Sequence, residues 1–195
     1  DVDLAVETVA EDLALKRGLF AMLDARVPAG VPIGSNSSGF PISKIAAGLK
    51  TRSRMLGTHY FMPAHIVPLV EVVLGEVSDA EVGERVCAMF RALGKKPVLV
   101  KKDIPGFLAN RIQHALMREA LSLIDRGIAS PEDVDMAVRY SFGFRYAAIG
   151  PILQKEFAGL DTQLAAARTI YPSLHNGAAP SRTLQDLVAL GRRGI

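Results

Sequence analysis

His59 and Glu71 flank the segment Tyr60-Phe61-Met62-Pro63-Ala64-His65-Ile66-Val67-Pro68-Leu69-Val70. It reads as a strand ending in a histidine, a proline-bracketed turn, and a returning strand that carries a carboxylate. His65 stands at the midpoint, so a close reversal sets His59 opposite Glu71. A carboxylate on one ring nitrogen fixes the imidazole tautomer and leaves the other nitrogen free for general acid–base work. Alone, such a pair more often marks a satisfied structural histidine. His65, two residues past Pro63, reads as a surface group of the turn, and His114 and His175 read as structural. No His, Cys and acid cluster has metal-ligand spacing, so no metal site is expected. A hydrolase using Ser38 and His59 lacks the Gly-x-Ser-x-Gly elbow.

The elements that must position the pair alternate between strand and helix. Val2–Thr8, Val31–Ser35, Met55–Phe61, Leu69–Leu74 and Pro97–Val100 read as strands. Helical patterns run over Glu11–Leu23, Ile42–Leu49 and Asp79–Leu93, the last with Val82, Val86, Phe90 and Leu93 at helical spacing. This alternation predicts an α/β layer with a mainly parallel sheet. The Met55–Leu74 return adds an antiparallel strand near an edge. Asn36 and Ser38 follow the C-terminal end of one strand and His59 lies near the end of another. Ligands of open α/β sheets bind outside those ends. Ser38 can also serve as a helix N-cap before Pro41.

From Pro105 onward strand signals fade. Gly106–Arg126 reads as one long helix ended by Gly127, and Ser130-Pro131-Glu132-Asp133 as a helix start. Further helical patterns follow at Gln154–Ala158, Thr162–Ile170 and Arg182–Leu190. The expected domains are therefore an α/β part over 1–102 and an all-helical part over 103–195. Asn110 comes from the second, which places the expected site in the cleft between domains.

The 195 residues suffice for a sizeable core. Apolar residues make up 49% and charged residues 22%, the balance of a globular protein. Net charge is +3 with the basic residues scattered, which gives no footprint for nucleic acid. Cys87 is the only cysteine, so no internal disulfide can form. It sits on an apolar helix stripe as a small hydrophobe, which fits a cytoplasmic location. No apolar run approaches the roughly 20 residues that span a bilayer, so no membrane association is expected.

Four segments, taken in order, carry a family resemblance. They are Val9-Ala10-Glu11-Asp12-Leu13-Ala14-Leu15-Lys16; Ser35-Asn36-Ser37-Ser38; the His59–Glu71 stretch; and Asp103-Ile104-Pro105-Gly106-Phe107-Leu108-Ala109-Asn110-Arg111. From Asp1 to about Leu190 the chain resembles the NAD-dependent 3-hydroxyacyl-CoA dehydrogenase family. The resemblance implies a partial Rossmann-like sheet with a C-terminal helical domain, and oxidation of an (S)-3-hydroxyacyl-CoA with NAD, as in fatty acid β-oxidation. It implies His59 as catalytic base, Glu71 as its orienting partner, Ser38 bonded to the reacting oxygen, and Asn110 completing the polar cluster. Glu11, Lys16 and Asn36 match positions near the ribose and nicotinamide end of the cofactor. The helical domain is implied to form a homodimer.

Two departures stand out. Met62 replaces the family's asparagine three residues after the histidine. Gly150-Pro151-Ile152-Leu153-Gln154 replaces a Gly-Pro-Phe-Glu-Leu segment, after a longer Arg145-Tyr146-Ala147-Ala148-Ile149 approach, which suggests an altered acyl pocket. These keep open a relative acting on a small hydroxy acid or sugar acid, beside a non-catalytic crystallin-like member. No Gly-x-Gly-x-x-Gly occurs. The expectation is a fragment that lacks the first half of the cofactor domain, with the activity assigned to the parent protein.

Overall fold

A computed structural model describes residues 2–194. Asp1 and Ile195, the outer ends of the two expected domain ranges, lie outside the described residues. The chain divides into two compact units, Asp1–Ile112 and Gln113–Ile195.

The first unit is built on one five-stranded sheet in the order β1-β2-β3-β4-β5. Its strands are β1 (Ala5–Glu7), β2 (Ile33–Ser35), β3 (Met55–Tyr60), β4 (Leu69–Leu74) and β5 (Lys96–Val100). β1, β2 and β3 are parallel, β4 is antiparallel to β3, and β5 is parallel to β4. Two strands therefore run in reverse where one was expected. The tight return after Tyr60 reverses β4, and the crossover helix α3 (Ala80–Ala92) then delivers β5 parallel to it.

Helices cover both faces, because each face is apolar and must be buried. On one, Leu56, Val70, Val72 and Leu74 pack with Val86, Cys87 and Phe90 of α3. On the other, Ile33 and Met55 pack with Phe20 of α1 (Leu13–Arg26) and with Ile42 and Ile45 of α2 (Ile42–Ile45). Cys87 is fully buried, which pushes its thiol pKa up. Local capping sets the helix starts. Asp12 accepts from the Leu15 amide at 2.9 Å and Asp79 from the Glu81 amide at 2.8 Å. Arg54 ties the loops beneath the sheet, donating to the carbonyls of Asp24, Val27, Pro28 and Val31.

The next helix, α4 (Ala109–Asp125), starts later than its sequence pattern suggests. Gly106 and Phe107 have φ of +76° and +48°, which no right-handed helix accommodates. α4 begins in the first unit and continues into the second. The second unit also holds α5 (Pro131–Arg139), α6 (Phe142–Tyr146), α7 (Pro151–Phe157), α8 (Leu160–Ile170) and α9 (Arg182–Ala189). Asp125 accepts from the amides of Arg182 and Thr183 at the start of α9, at 3.0 and 2.9 Å. Among its described residues Ser122 alone is buried. No helix among the described residues is long and apolar enough to cross a membrane.

Candidate active site

His59 and Glu71 are direct cross-strand partners in the β3–β4 register. Close pairing at this corner needs Gly57, whose added Cβ would meet the Val73 Cβ at 2.9 Å. His59 Nδ1 lies 2.8 Å from Glu71 Oε2, with the two residues 5% and 0% exposed. A proton on Nδ1 donated to the carboxylate leaves the Nε2 lone pair free. The rings of Phe61 and Phe107 stand 4.7 and 5.6 Å from the imidazole. They hold its plane.

Glu71 has a second duty that sequence reasoning missed. Its Oε1 accepts from the amides of Leu108 and Ala109, at 3.0 and 2.8 Å, at the start of α4. One carboxylate thus braces the imidazole and caps the helix that carries Asn110, the next residue along. Phe107 makes this possible by holding a left-handed conformation unusual for a non-glycine residue. Burial of its ring against His59 offsets that strain.

Burial pushes the Glu71 carboxyl pKa up, but the bonds from His59, Ala109 and Leu108 outweigh it and hold it below the ordinary carboxylate range. Glu11 is lowered likewise: burial raises it, and bonds from Ser37, Gly39 and Lys16 more than compensate. Groups with depressed folded values bind fewer protons folded than unfolded in the acid range, so stability there rises with pH. Their contribution is complete above the ordinary value of 4.5 and is lost as pH falls through the folded values. The urea unfolding midpoint is expected to decline once pH passes below that value, and Glu71→Gln is expected to flatten the decline. A midpoint constant down to about pH 3 would contradict this linkage.

The loops after β1 and β2 form a second polar cluster. Glu7, at the end of β1, receives the Lys16 ammonium at 2.9 Å, the Val9 amide at 2.7 Å and the Ser35 hydroxyl at 2.6 Å. Lys16 also donates to Val9 O at 3.1 Å and pairs with Glu11 at 3.3 Å. Glu11 Oε1 accepts from the Ser37 hydroxyl at 2.5 Å and the Gly39 amide at 2.8 Å. Lys16 is 1% exposed with its three protons committed, so the residue expected near the cofactor is placed here as an internal strut. Glu7, Ser35 and Ser37 have no site role in the sequence reading, although both serines belong to one of the family-like segments. The available signal was the acid that ends the Ala5-Val6-Glu7 run.

The other candidate residues are more open. Asn36 is half-buried; its amide oxygen accepts from the Tyr60 amide at 3.0 Å, which ties this loop to the residue after His59. Ser38 is exposed and does not cap α2, which has no side-chain cap. Asn110 is half-buried on the first turn of α4. No hydrogen bond joins Ser38 or Asn110 to His59 among the described residues. The structure therefore brings His59 and Glu71 together and ties Glu11 to Lys16, while the Ser38 and Asn110 side chains stand unengaged. Met62 is 87% exposed on the turn beyond β3.

Residues 1–104 match the family pattern described as 3-hydroxyacyl-CoA dehydrogenase, NAD binding domain, and residues 106–195 the one described as 3-hydroxyacyl-CoA dehydrogenase, C-terminal domain. The chain belongs to the 3-hydroxyacyl-CoA dehydrogenase family of NAD-dependent oxidoreductases. It is 36% identical to a 5-formyl-3-hydroxy-2-methylpyridine 4-carboxylate 5-dehydrogenase of Mesorhizobium japonicum, over 89% of this chain and 56% of that protein. It is 43% identical to a 3-hydroxyacyl-CoA dehydrogenase of Gibberella moniliformis, over 82% of this chain and 50% of that protein. The crystal structure of a 5-formyl-3-hydroxy-2-methylpyridine 4-carboxylic acid 5-dehydrogenase, an NAD+-dependent dismutase, superimposes with a TM-score of 0.95 at 34% identity. That match covers 99% of this chain and 62% of the other. The chain thus spans little more than half the length of these relatives.

NAD is the cofactor of this domain. Two side chains of the loops after β1 and β2 keep polar capacity of the kind a dinucleotide's hydroxyl and amide groups can meet. Glu11 remains 42% exposed on its side chain and can accept from ribose hydroxyls, and Asn36 retains amide donors.

Proposed function

We propose that the protein is an NAD-dependent dehydrogenase in which His59 is the general base, and that its substrate is an (S)-3-hydroxyacyl-CoA. The observation that carries this reading is the buried His59–Glu71 bond of 2.8 Å, at the strand ends where α/β sheets bind ligands. When bound, NAD supplies the hydride acceptor. Nε2 of His59 takes the hydroxyl proton, and Glu71 stabilises the resulting imidazolium, as an acid does in hydrolase triads. Ser38 and Asn110 donate to the substrate oxygen as charge builds on it. Glu11 and Asn36 hold the ribose and nicotinamide end, and Lys16 acts through Glu11.

A second reading keeps this machinery and replaces the thioester by a small free acid. Two observations favour it: the exposed Met62 where the family has asparagine, and the TM-score of 0.95 to a pyridine-carboxylate dehydrogenase. Steady-state NADH assays on the full-length protein separate the two. Turnover with acetoacetyl-CoA and none with free hydroxy acids supports the first, and the reverse supports the second. No turnover with either, while NAD binds, removes the catalytic reading.

The partner we propose for the helical unit is a second copy of the chain. That unit leaves Tyr140, Phe144, Ile152, Phe157 and Leu160 exposed and buries no apolar side chain among its described residues. Helices with apolar stripes need a covering layer. Sedimentation is expected to give a dimer, shifted toward monomer by Phe157→Asp. A monomeric wild-type protein at micromolar concentration would count against this partner.

A further inference from the structure

Glu7 takes no part in the proton path from His59, yet its buried carboxylate bridges two loops. Through Oε2 it holds the Ser35 hydroxyl at 2.6 Å, and Ser35 Oγ accepts from the Ser37 amide at 3.2 Å. Through Oε1 it holds Lys16 at 2.9 Å. Lys16 holds Glu11, which accepts from the Ser37 hydroxyl and from the Gly39 amide. The two paths converge on both neighbours of Ser38. Glu7 also anchors this loop by its backbone, its carbonyl accepting from the Asn36 amide at 2.9 Å.

We propose that Glu7 is a positioning residue that fixes the peptide bearing Ser38 from both sides, and so sets where that hydroxyl meets the substrate oxygen. This rests on the role given to Ser38 above. A carboxylate suits the task because its two oxygens accept several bonds at once, and those from charged donors are short and strong. A neutral side chain of the same size could fill the space without holding both loops. Displacement of a reacting group by ~1 Å is enough to cost ~10²-fold in rate, so loosening the loop is read in kcat before it is read in the fold.

Ser35→Ala in the full-length protein tests the idea, because it cuts one path while leaving the Glu7–Lys16 pair intact. The expected result is a protein that still folds, its unfolding temperature lowered by the loss of one buried hydrogen bond, with kcat at a temperature well below unfolding lowered about tenfold. In a Ser38→Ala background the same change is expected to alter kcat by less than about twofold, since coupled residues are non-additive. Ser35→Cys, which keeps the volume and leaves the Glu7–Lys16 pair intact but replaces the hydroxyl by a weak donor, is expected to give the same kcat pattern and decides the matter if Ser35→Ala is too unstable to assay. Wild-type kcat in Ser35→Ala, or an undiminished loss in the Ser38→Ala background, overturns the proposal. If Ser38→Ala alone leaves kcat unchanged, the role of Ser38 fails and this proposal fails with it.

Discussion

Replacing His59 by glutamine is expected to lower kcat by roughly 10²–10⁴-fold while the protein stays folded and still binds NAD. Positioned proton transfer carries that order of rate, and the Glu71-bound imidazole supplies it here. Glutamine is the informative replacement. It fills much of the space between Phe61 and Phe107, and its amide can still donate to Glu71 Oε2, so the carboxylate keeps a partner. Oε1 keeps the Leu108 and Ala109 amides in any case, so the start of α4 remains held. A stopped-flow trace of NADH formation would separate the chemical step from product release, and titration calorimetry with NAD would report binding. Turnover within about threefold of wild type would remove His59 from the mechanism. Turnover lost together with NAD binding would instead indicate a damaged sheet end.

Lys16→Met is expected to destabilise the protein by ~3–5 kcal/mol, the scale for breaking a buried ion pair by removing one partner. The ammonium neutralises Glu7, which is itself 2% exposed, and no other cation reaches that carboxylate among the described residues. The Ser35 hydroxyl and Val9 amide soften the loss without cancelling the charge. Against a typical stability of ~5–15 kcal/mol this is a large fraction, readable as a lower urea midpoint at unchanged slope. The double variant Glu7→Leu/Lys16→Met is expected to recover most of the stability, because apolar replacement of a whole buried pair is often neutral. It is not expected to recover turnover, since the loop bearing Ser38 stays unheld. A Lys16→Met protein within about 1 kcal/mol of wild type would show that the pair contributes nothing to the fold.

What the sequence determined by itself was local. Helix starts at Asp79 and Ser130 follow from caps whose partners lie within three residues. The pairing of His59 with Glu71 follows from two apolar strands and a proline-bracketed turn, because an antiparallel register is set by its turn. The order of strands and helices, and the covering of both sheet faces, follow from periodicity and the need to bury apolar surface.

Only the tertiary structure decided the contacts that cross elements. Ser35 meets Glu7 across 28 residues, through the β1–β2 register. Glu71 meets the Leu108 and Ala109 amides across 37 and 38 residues, through a turn in which Phe107 takes a conformation its residue type disfavours. Lys16 lies within a helical pattern and was expected near the cofactor, yet it is turned inward by two acids, Glu7 at the end of β1 and Glu11 in the loop that follows. Register between distant strands and the direction of a long side chain are settled by packing and charge neutralisation in three dimensions. No short window of residue types contains that information.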